Sequence, residues 1–368
     1  MTIADIEQIV ESWAPKWTAW ERDNVGLQIG NRLQHVGRVL VALDVTEKIV
    51  AEAKSKKVDL IVSHHPLLFR PLSTITTANE SGRMVLQLAQ SNIGVYSAHT
   101  NLDFTNGGVS FALAKTLGLN NIKFLSPLQG TLAKIVVFVP SSYVERVAEA
   151  MSQAGAGIIG EYDSCSFRLR GVGTFRGSSR SKPFTGKAGT LETVDEIRLE
   201  MIAPRATVNT VVAAMKKRHP YEEVAYDVYP LENDNPNYGM GAIGKLSTSV
   251  PLKTLLQRVK KSLKAEAVRY TGDLKRRIHN VAVCGGSGSD LLPLAIKAGA
   301  DAFVTADVRY HTYHSAEGQI ALIDAGHWET EHVILEPLAE RLRQAARLRN
   351  ERLAVSITQY STNPTHYL

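Results

Sequence analysis

The chain has 368 residues and carries 42 Lys+Arg against 36 Asp+Glu, a formal net charge of +6. Its length predicts two domains or three, and the 44% hydrophobic and 21% charged fractions exclude a disordered or fibrous chain. With Cys165 and Cys284 as its two cysteines, a disulfide scaffold and a cysteine-rich metal site are excluded, and a soluble, reduced, cytoplasmic protein is expected.

The opening Met1-Thr2-Ile3-Ala4-Asp5-Ile6-Glu7 lacks the basic-then-apolar order of a signal peptide, and a helix is predicted over 2–13. Short β-branched runs predict strands over 39–43, 60–63 and 94–97, alternating with amphipathic helices over 47–56, 82–90 and 109–117. This is the pattern of parallel βαβ units. The middle of the chain differs. A strand over 132–139 precedes a helix over 143–154, strands over 166–174 and 197–202, a helix over 207–217 and a strand over 223–230. That order is ferredoxin-like. Segments 125–127 and 233–237 have linker chemistry, and the Gly-, Ser- and Lys-rich stretch 177–190 reads as a mobile loop. After about residue 240 the first pattern returns, with strands over 281–284, 302–305 and 320–323 and helices over 290–298 and 330–347. The expected fold is α/β. Residues 1–125 and 236–368 would share one doubly wound, mostly parallel sheet, split by an inserted α+β ferredoxin-like domain at 126–235. No apolar run reaches the ~18 residues of a membrane helix, so no membrane partner is expected.

The positive charge is local. Residues 253–277 hold nine Lys/Arg against Glu266 and Asp273, a surplus larger than that of the whole chain. Leu252, Leu255, Leu256, Val259 and Leu263 recur at helical spacing, with Lys253, Lys260, Lys261 and Lys264 mostly on the other face. Two readings stay open: a solvated helix face, or a basic rim attracting an anionic, phosphate-bearing ligand. No aromatic-interleaved basic motif supports single-strand nucleic-acid binding.

In open parallel sheets, ligands bind beyond the carboxyl ends of the strands. Here the early strands lead to Asp44, to His64-His65-Pro66 and to His99-Thr100-Asn101-Leu102-Asp103. The late ones lead to Gly285-Gly286-Ser287-Gly288-Ser289, to Asp307 and to Gly326-His327-Trp328-Glu329-Thr330-Glu331. Several of the eleven histidines thus fall at one edge of one sheet. Adjacent strand residues point to opposite faces, so His64 and His65 would each serve a different metal, unless both are solvated turn residues. Asp103 offers a hard oxygen, while His99 is open to three roles: ligand, proton carrier or support of a ligand. His327 and Glu331, four apart, share one helix face, an arrangement that alone is more often a surface hydrogen bond. The joint occurrence of the three groups favours a metal. The loop 285–289 is either a phosphate cradle or a tight turn with a serine cap, and it matches neither the Walker nor the dinucleotide pattern. His311 and His314 would support the site or cap a helix.

Together these residues resemble the GTP cyclohydrolase I type 2 homologue family, also described as Ngg-one-interacting-factor-three-like proteins. The matching segments are Trp20 with Asp23-Asn24-Val25-Gly26-Leu27, Leu43-Asp44-Val45-Thr46, Ser63-His64-His65-Pro66-Leu67 and His99-Thr100-Asn101-Leu102-Asp103. After the insert come Val283-Cys284-Gly285-Gly286-Ser287-Gly288, Thr305-Ala306-Asp307-Val308-Arg309-Tyr310-His311 and Asp324-Ala325-Gly326-His327. They follow the family order over almost the whole chain. His219-Pro220-Tyr221-Glu222-Glu223 resembles the end of the insert in the family's long form, a domain similar to PII-like and CutA-like proteins. Around Ser110-Phe111 and Trp328-Glu329 the chain departs from the family pattern without touching an implied ligand.

The resemblance implies a dinuclear centre of two divalent metal ions per chain, zinc, iron or manganese. Its ligands would be His64, His65, Asp103, His327 and Glu331, with Glu331 bridging. It also implies a homo-oligomer, a toroidal hexamer. The implied activity is a metal-dependent hydrolase that opens the purine ring of GTP with a metal-activated water, with His99 a candidate for proton transfer. The partner would be a nucleotide or another anionic small molecule, and nucleic acid is not expected. Two alternatives remain. One is a two-metal phosphoester hydrolase; the other is a metal-binding scaffold or regulatory protein whose PII-like insert binds a ligand or partner.

Overall fold

The computed structural model describes residues 1–160 and 162–368. Its first strands are β1 (Gly26–Ile29), β2 (Arg38–Ala42), β3 (Leu60–Ser63), β4 (Gly94–Ser97) and β5 (Asn120–Pro127). Next come β6 (Leu132–Pro140), β7 (Phe167–Arg176), β8 (Leu191–Pro204) and β9 (Tyr226–Leu231). The last are β10 (Gly239–Pro251), β11 (Arg269–Tyr270), β12 (Arg277–Val283), β13 (Ala302–Thr305), β14 (Ala321–Asp324) and β15 (Ala354–Ile357). Two compact units result, one from Met1–Ser126 with Tyr238–Leu368 and one from Pro127–Asn237.

The larger unit contains two sheets, which corrects the expectation of one doubly wound sheet. One has the order β1-β4-β3-β2-β15 and the other β11-β14-β13-β12-β10-β5. Strands β15, β2, β3 and β4 pair in parallel, as do β12, β13 and β14. Each parallel set is then flanked by an antiparallel neighbour, β1 on β4 and β11 on β14, while β10 runs antiparallel along β12. These flanking strands belong each to one sheet. They mix polar with apolar residues and bury only part of their surface, so they lack the continuous apolar run of a strand covered on both faces.

The central strands show that run. Val39, Val41, Leu60 and Val62 face one core, and Leu40, Ala42 and Ile61 the opposite one. In the other sheet Val281, Val283 and Val304 oppose Ala282 and Phe303. Alternation of side chains along a strand produces both pairs of layers. The helix Val109–Thr116 is buried nearly all round. Its Val109 and Ala112 join the core of the first sheet, and its Phe111, Leu113 and Ala114 that of the second.

A shared carboxylate device aligns each parallel set. Asp59, just before β3, accepts from the amides of Gly37 and Arg38 at 2.8 Å each. Asp301, just before β13, accepts from those of His279 and Asn280, again at 2.8 Å. The helix expected over 330–347 begins earlier and is interrupted: His327–Glu331 is helical, His332–Ile334 is a 3₁₀ turn, and Leu335–Leu348 resumes. At the interruption the His332 ring stacks on Trp328 at 4.2 Å, and its Nδ1 lies 3.2 Å from the carbonyls of Trp328 and Glu329. Side-chain donation of this kind competes with the helical ladder. The stretch expected as a helix over 290–298 likewise opens with a 3₁₀ turn, Ser289–Leu291, before Leu292–Lys297.

In the smaller unit the antiparallel order is β7-β8-β6-β9. Helices Val144–Gln153 and Val208–Arg218 cover one face, packing Val147, Met151, Val211 and Met215 on Ile135, Val137, Leu199 and Met201. Two split strand–helix–strand halves in this order make a ferredoxin-like arrangement. Residues 177–190 connect β7 to β8 without helix or strand. Among the described residues no helix is long and apolar enough to cross a membrane.

The two ends of the insertion meet in the larger unit. β5 and β10 are sheet neighbours, and a Cβ on Gly239 would lie 2.7 Å from the Ser126 carbonyl. Replacing residues 128–236 by a short Gly/Ser linker should therefore leave a cooperatively melting core. Thermal unfolding followed by circular dichroism checks this, and a non-cooperative melt would show that the core sheets depend on the insert.

Candidate metal centre

Both parallel sets deliver their strand ends to one place. Asp44 follows β2, His64 and His65 follow β3, and His99 and Asp103 follow β4; Asp307 follows β13, and His327 and Glu331 follow β14. The histidines therefore gather between the carboxyl ends of two sheets rather than along one edge of one.

Glu331 is the group they share. It is only 4% exposed, and its two oxygens face different neighbours. Oε2 lies 2.9 Å from His65 Nε2 and 3.1 Å from His327 Nε2. Oε1 lies 3.8 Å from His64 Nε2, which in turn is 3.6 Å from Asp103 Oδ1. His64, His65 and His99 each bring a ring nitrogen within 4.8 Å of the others, as do His65 and His327 with a Glu331 oxygen. All five expected ligands thus converge, with His99 beside them.

The outer nitrogen of each imidazole is already engaged. His64 Nδ1 donates to the Ala98 carbonyl at 2.8 Å, His65 Nδ1 to Asp44 at 2.7 Å, His99 Nδ1 to Asp23 at 2.9 Å and His327 Nδ1 to Asp307 at 2.6 Å. Each contact fixes a tautomer whose Nε2 lone pair points inward, the state in which imidazole ligates metals. Moreover, His64 Nε2, Asp103 Oδ1 and Glu331 Oε2 are buried with no hydrogen-bond partner. An unsatisfied buried polar atom costs about 1–3 kcal/mol, a cost that cations held in this cluster would remove. Imidazole nitrogen with carboxylate oxygen suits zinc, iron or manganese.

Titration behaviour reports the same field. Burial works against a charged His65, yet Asp44 and Glu331 outweigh it and raise the imidazole to about 10. His327 rises to about 9 against its burial, through Glu331 and Asp307. Burial, reinforced by the Glu331 charge, pushes Asp103 up to about 7 in spite of His64. Despite its own burial, Glu331 is held well below the usual range by the three imidazoles. The carboxylates draw positive charge inward. Protons on the imidazoles meet that demand, and a metal would meet it in their place.

The glycine loop supports this carboxylate. Gly286 has φ +61°, and a Cβ there would lie 2.0 Å from Glu331 Oε1; a Cβ on Gly285 would lie 2.4 Å from Val109 Cγ1. The Gly286 and Gly288 amides donate to Thr330 Oγ1 and Thr305 Oγ1, both at 3.0 Å. Those amides are committed to the turn and not to a phosphate, and no side chain caps the short helix that follows.

Other expectations separate from the site. The helix Leu252–Ser262 buries Leu252, Leu255, Leu256 and Val259 and exposes its lysines, and no residue of 253–277 lines the cavity at the centre. The same amphipathic spacing that buries the leucines turns the lysines to water, and they form no rim to this cavity. His311 and His314 lie against Tyr310 on the helix Tyr310–Ala316, outside that cavity. Three supports were given no role from the sequence: Asp23, which lies in a segment matching the family, and Thr362 and Asn363. Asp23 accepts from His99 Nδ1 and from the Thr100 amide at 3.1 Å, and these contacts hold it down at about 2 against its burial. Thr362 donates to Asp44 Oδ2, and Asn363 donates to Glu329 at 2.9 Å.

These features define an α/β protein with a candidate metal centre where two parallel sheets end. The comparisons agree on the family. The chain belongs to the Duf34/NIF3 (NGG1p interacting factor 3) family, whose model matches residues 1–364, as the sequence resemblance implied. It is 41% identical over 364 residues to a protein of Halalkalibacterium halodurans named GTP cyclohydrolase 1 type 2 homolog, covering 98% of this chain and 97% of that one. A Bacillus subtilis protein of the same name is 40% identical over 365 residues, covering 99% and 98%. The crystal structure of a Bacillus cereus protein related to NIF3 superposes with a TM-score of 0.87 at 38% identity, covering 100% of this chain and 99% of that one.

The supports should be measurable through metal affinity. Asp44→Asn is expected to weaken it about 10–100-fold by releasing His65, and Thr362→Val less in the same direction, read by competition with a chelator. Unchanged affinity for Asp44→Asn would mean that His65 needs no anchor. Gly286→Ala, strained in φ and abutting Glu331, should lower both metal content and melting temperature.

Proposed function

We propose that this protein is a metal-dependent hydrolase with a dinuclear centre, acting on a ring C–N bond of a purine. One observation carries the reading: the two oxygens of Glu331 face two separate donor groups. His64 and Asp103 would hold one ion and His65 and His327 the other, with Glu331 bridging. Bound there, two divalent ions would act as Lewis acids and lower the pKa of water.

The chain's own groups suit the remaining work. His99, its tautomer set by Asp23, presents Nε2 to the same space and would take a proton from the attacking water and return it to the leaving nitrogen. The reaction adds water oxygen to carbon and protons to nitrogen, so no further reactant is required. Apolar walls beside the centre would limit bulk water. The printed name of the relatives makes guanine compounds the first to test. The strand order of the inserted unit supports its assignment as a PII- or CutA-like domain.

Elemental analysis after dialysis should find two metal equivalents per chain, falling below one in Glu331→Ala. Ring opening of guanine compounds, followed by ultraviolet absorbance, should drop about 10²–10⁴-fold in His99→Ala. Two bound ions without turnover of any purine would favour the scaffold reading instead. Full metal occupancy in Glu331→Ala would remove the bridge.

A further inference from the structure

His65, Asp103, His327 and Glu331 open on a cavity of about 690 Å³ whose remaining lining is largely apolar and aromatic. Trp20 and Phe69 line it while remaining 62% and 56% exposed. Large aromatic rings left open to water at a cavity are features of binding sites. Both are tied to the centre. The Trp20 amide donates to Thr100 Oγ1 at 3.1 Å, next to His99, and the Phe69 ring meets the His99 ring edge-on at 6.3 Å.

The charges on the wall are acidic. Asp103, Glu331 and the exposed Asp290 line the cavity, and among the described lining residues none is Lys or Arg. Two divalent ions set against these three carboxylates leave a single positive charge before Asp23, Asp44 and Asp307, behind the imidazoles, are counted, which is short of what a triphosphate carries. Arg22 and Arg70, close in sequence to Trp20 and Phe69, are exposed and off the wall. Screening over ~8 Å at physiological salt limits what such groups contribute.

We infer that the site takes an uncharged nucleoside, with its base against Trp20 and Phe69, and that Asp290 disfavours the nucleoside triphosphate. The inference rests on the dinuclear reading above for its charge balance. Aromatic contact with a base is sequence-tolerant and strong enough for about a tenfold change in affinity per aromatic residue removed.

Calorimetric titration of the metal-loaded protein with guanosine, adenosine and their triphosphates tests this, with metal content measured on the same samples. At least one nucleoside should bind tenfold or more tighter than its triphosphate. Trp20→Ala and Phe69→Ala should each weaken that nucleoside about tenfold at unchanged metal content. Asp290→Asn should tighten the triphosphate at least threefold and leave the nucleoside unchanged. Tighter binding of the triphosphates, binding of none of the four, or nucleoside affinity indifferent to both aromatic substitutions would overturn the inference. Nucleoside preference with fewer than two ions would overturn the dinuclear reading alone, and triphosphate preference with two ions the substrate reading alone.

Discussion

A buried carboxylate among imidazoles is the constraint around which the larger unit is arranged. Isolated, a charge at the depth of Glu331 would be expensive, and proteins accept one only when it is paired or ligated. Here three imidazoles surround it, each held from behind by a carbonyl or carboxylate. The backbone gives way to make room. Gly286 adopts positive φ directly against Oε1, and Gly326, at φ +90°, opens the five-residue helix that carries His327 and Glu331 on one face. Gly285 lets Val109, on the helix both cores share, approach the same loop. Core packing and site geometry therefore meet in three glycines.

Two sheets suit this centre better than one. A single doubly wound sheet offers a crevice at one switch point. Two parallel sets, each aligned by an aspartate before its middle strand, present two rows of strand ends. The first row supplies His64, His65, His99 and Asp103, and the second supplies His327, Glu331 and Asp307. Glu331 comes from the second row, and the imidazoles that face it come from both. The antiparallel strands β1 and β11 cover one side of each set, which protects backbone groups that would otherwise be open to pairing.

What the sequence disclosed follows from this division. Strands buried on both faces are continuous apolar runs, so β2, β3, β4, β13 and β14 were readable with ends within about one residue, while β12 begins four residues before the expected strand, where its sequence turns polar. Flanking strands such as β1, β11 and β15 bury part of one face and gave no comparable signal; without them two sheets looked like one. The candidate metal-binding residues stood out because strand ends collect ligands and because His64-His65 and His327-Glu331 have spacings that chemistry uses. The supporting roles of Asp23 and Thr362 did not, since each acts through a contact 76 or 318 residues away along the chain. The lysines near residue 260 left two readings open for a different reason. Composition reports how much charge a segment carries, whereas only the fold reports what it faces.

That distance along the chain has an energetic consequence. Thr362 holds Asp44, Asp44 holds His65, and His65 meets Glu331, while Asn363 braces Glu329 beside His327. The segment bearing Thr362 and Asn363 lies just beyond β15, the strand that joins the first sheet from the far side of the sequence. A donor set of this kind exists only when both sheets and this strand are in place, so the unfolded chain has no comparable site. A cation bound to it would therefore stabilise the folded state by mass action, by an amount that grows with its free concentration over its dissociation constant. The same buried carboxylate that would destabilise an empty core becomes, once ligated, a contact that ties the two sheets together.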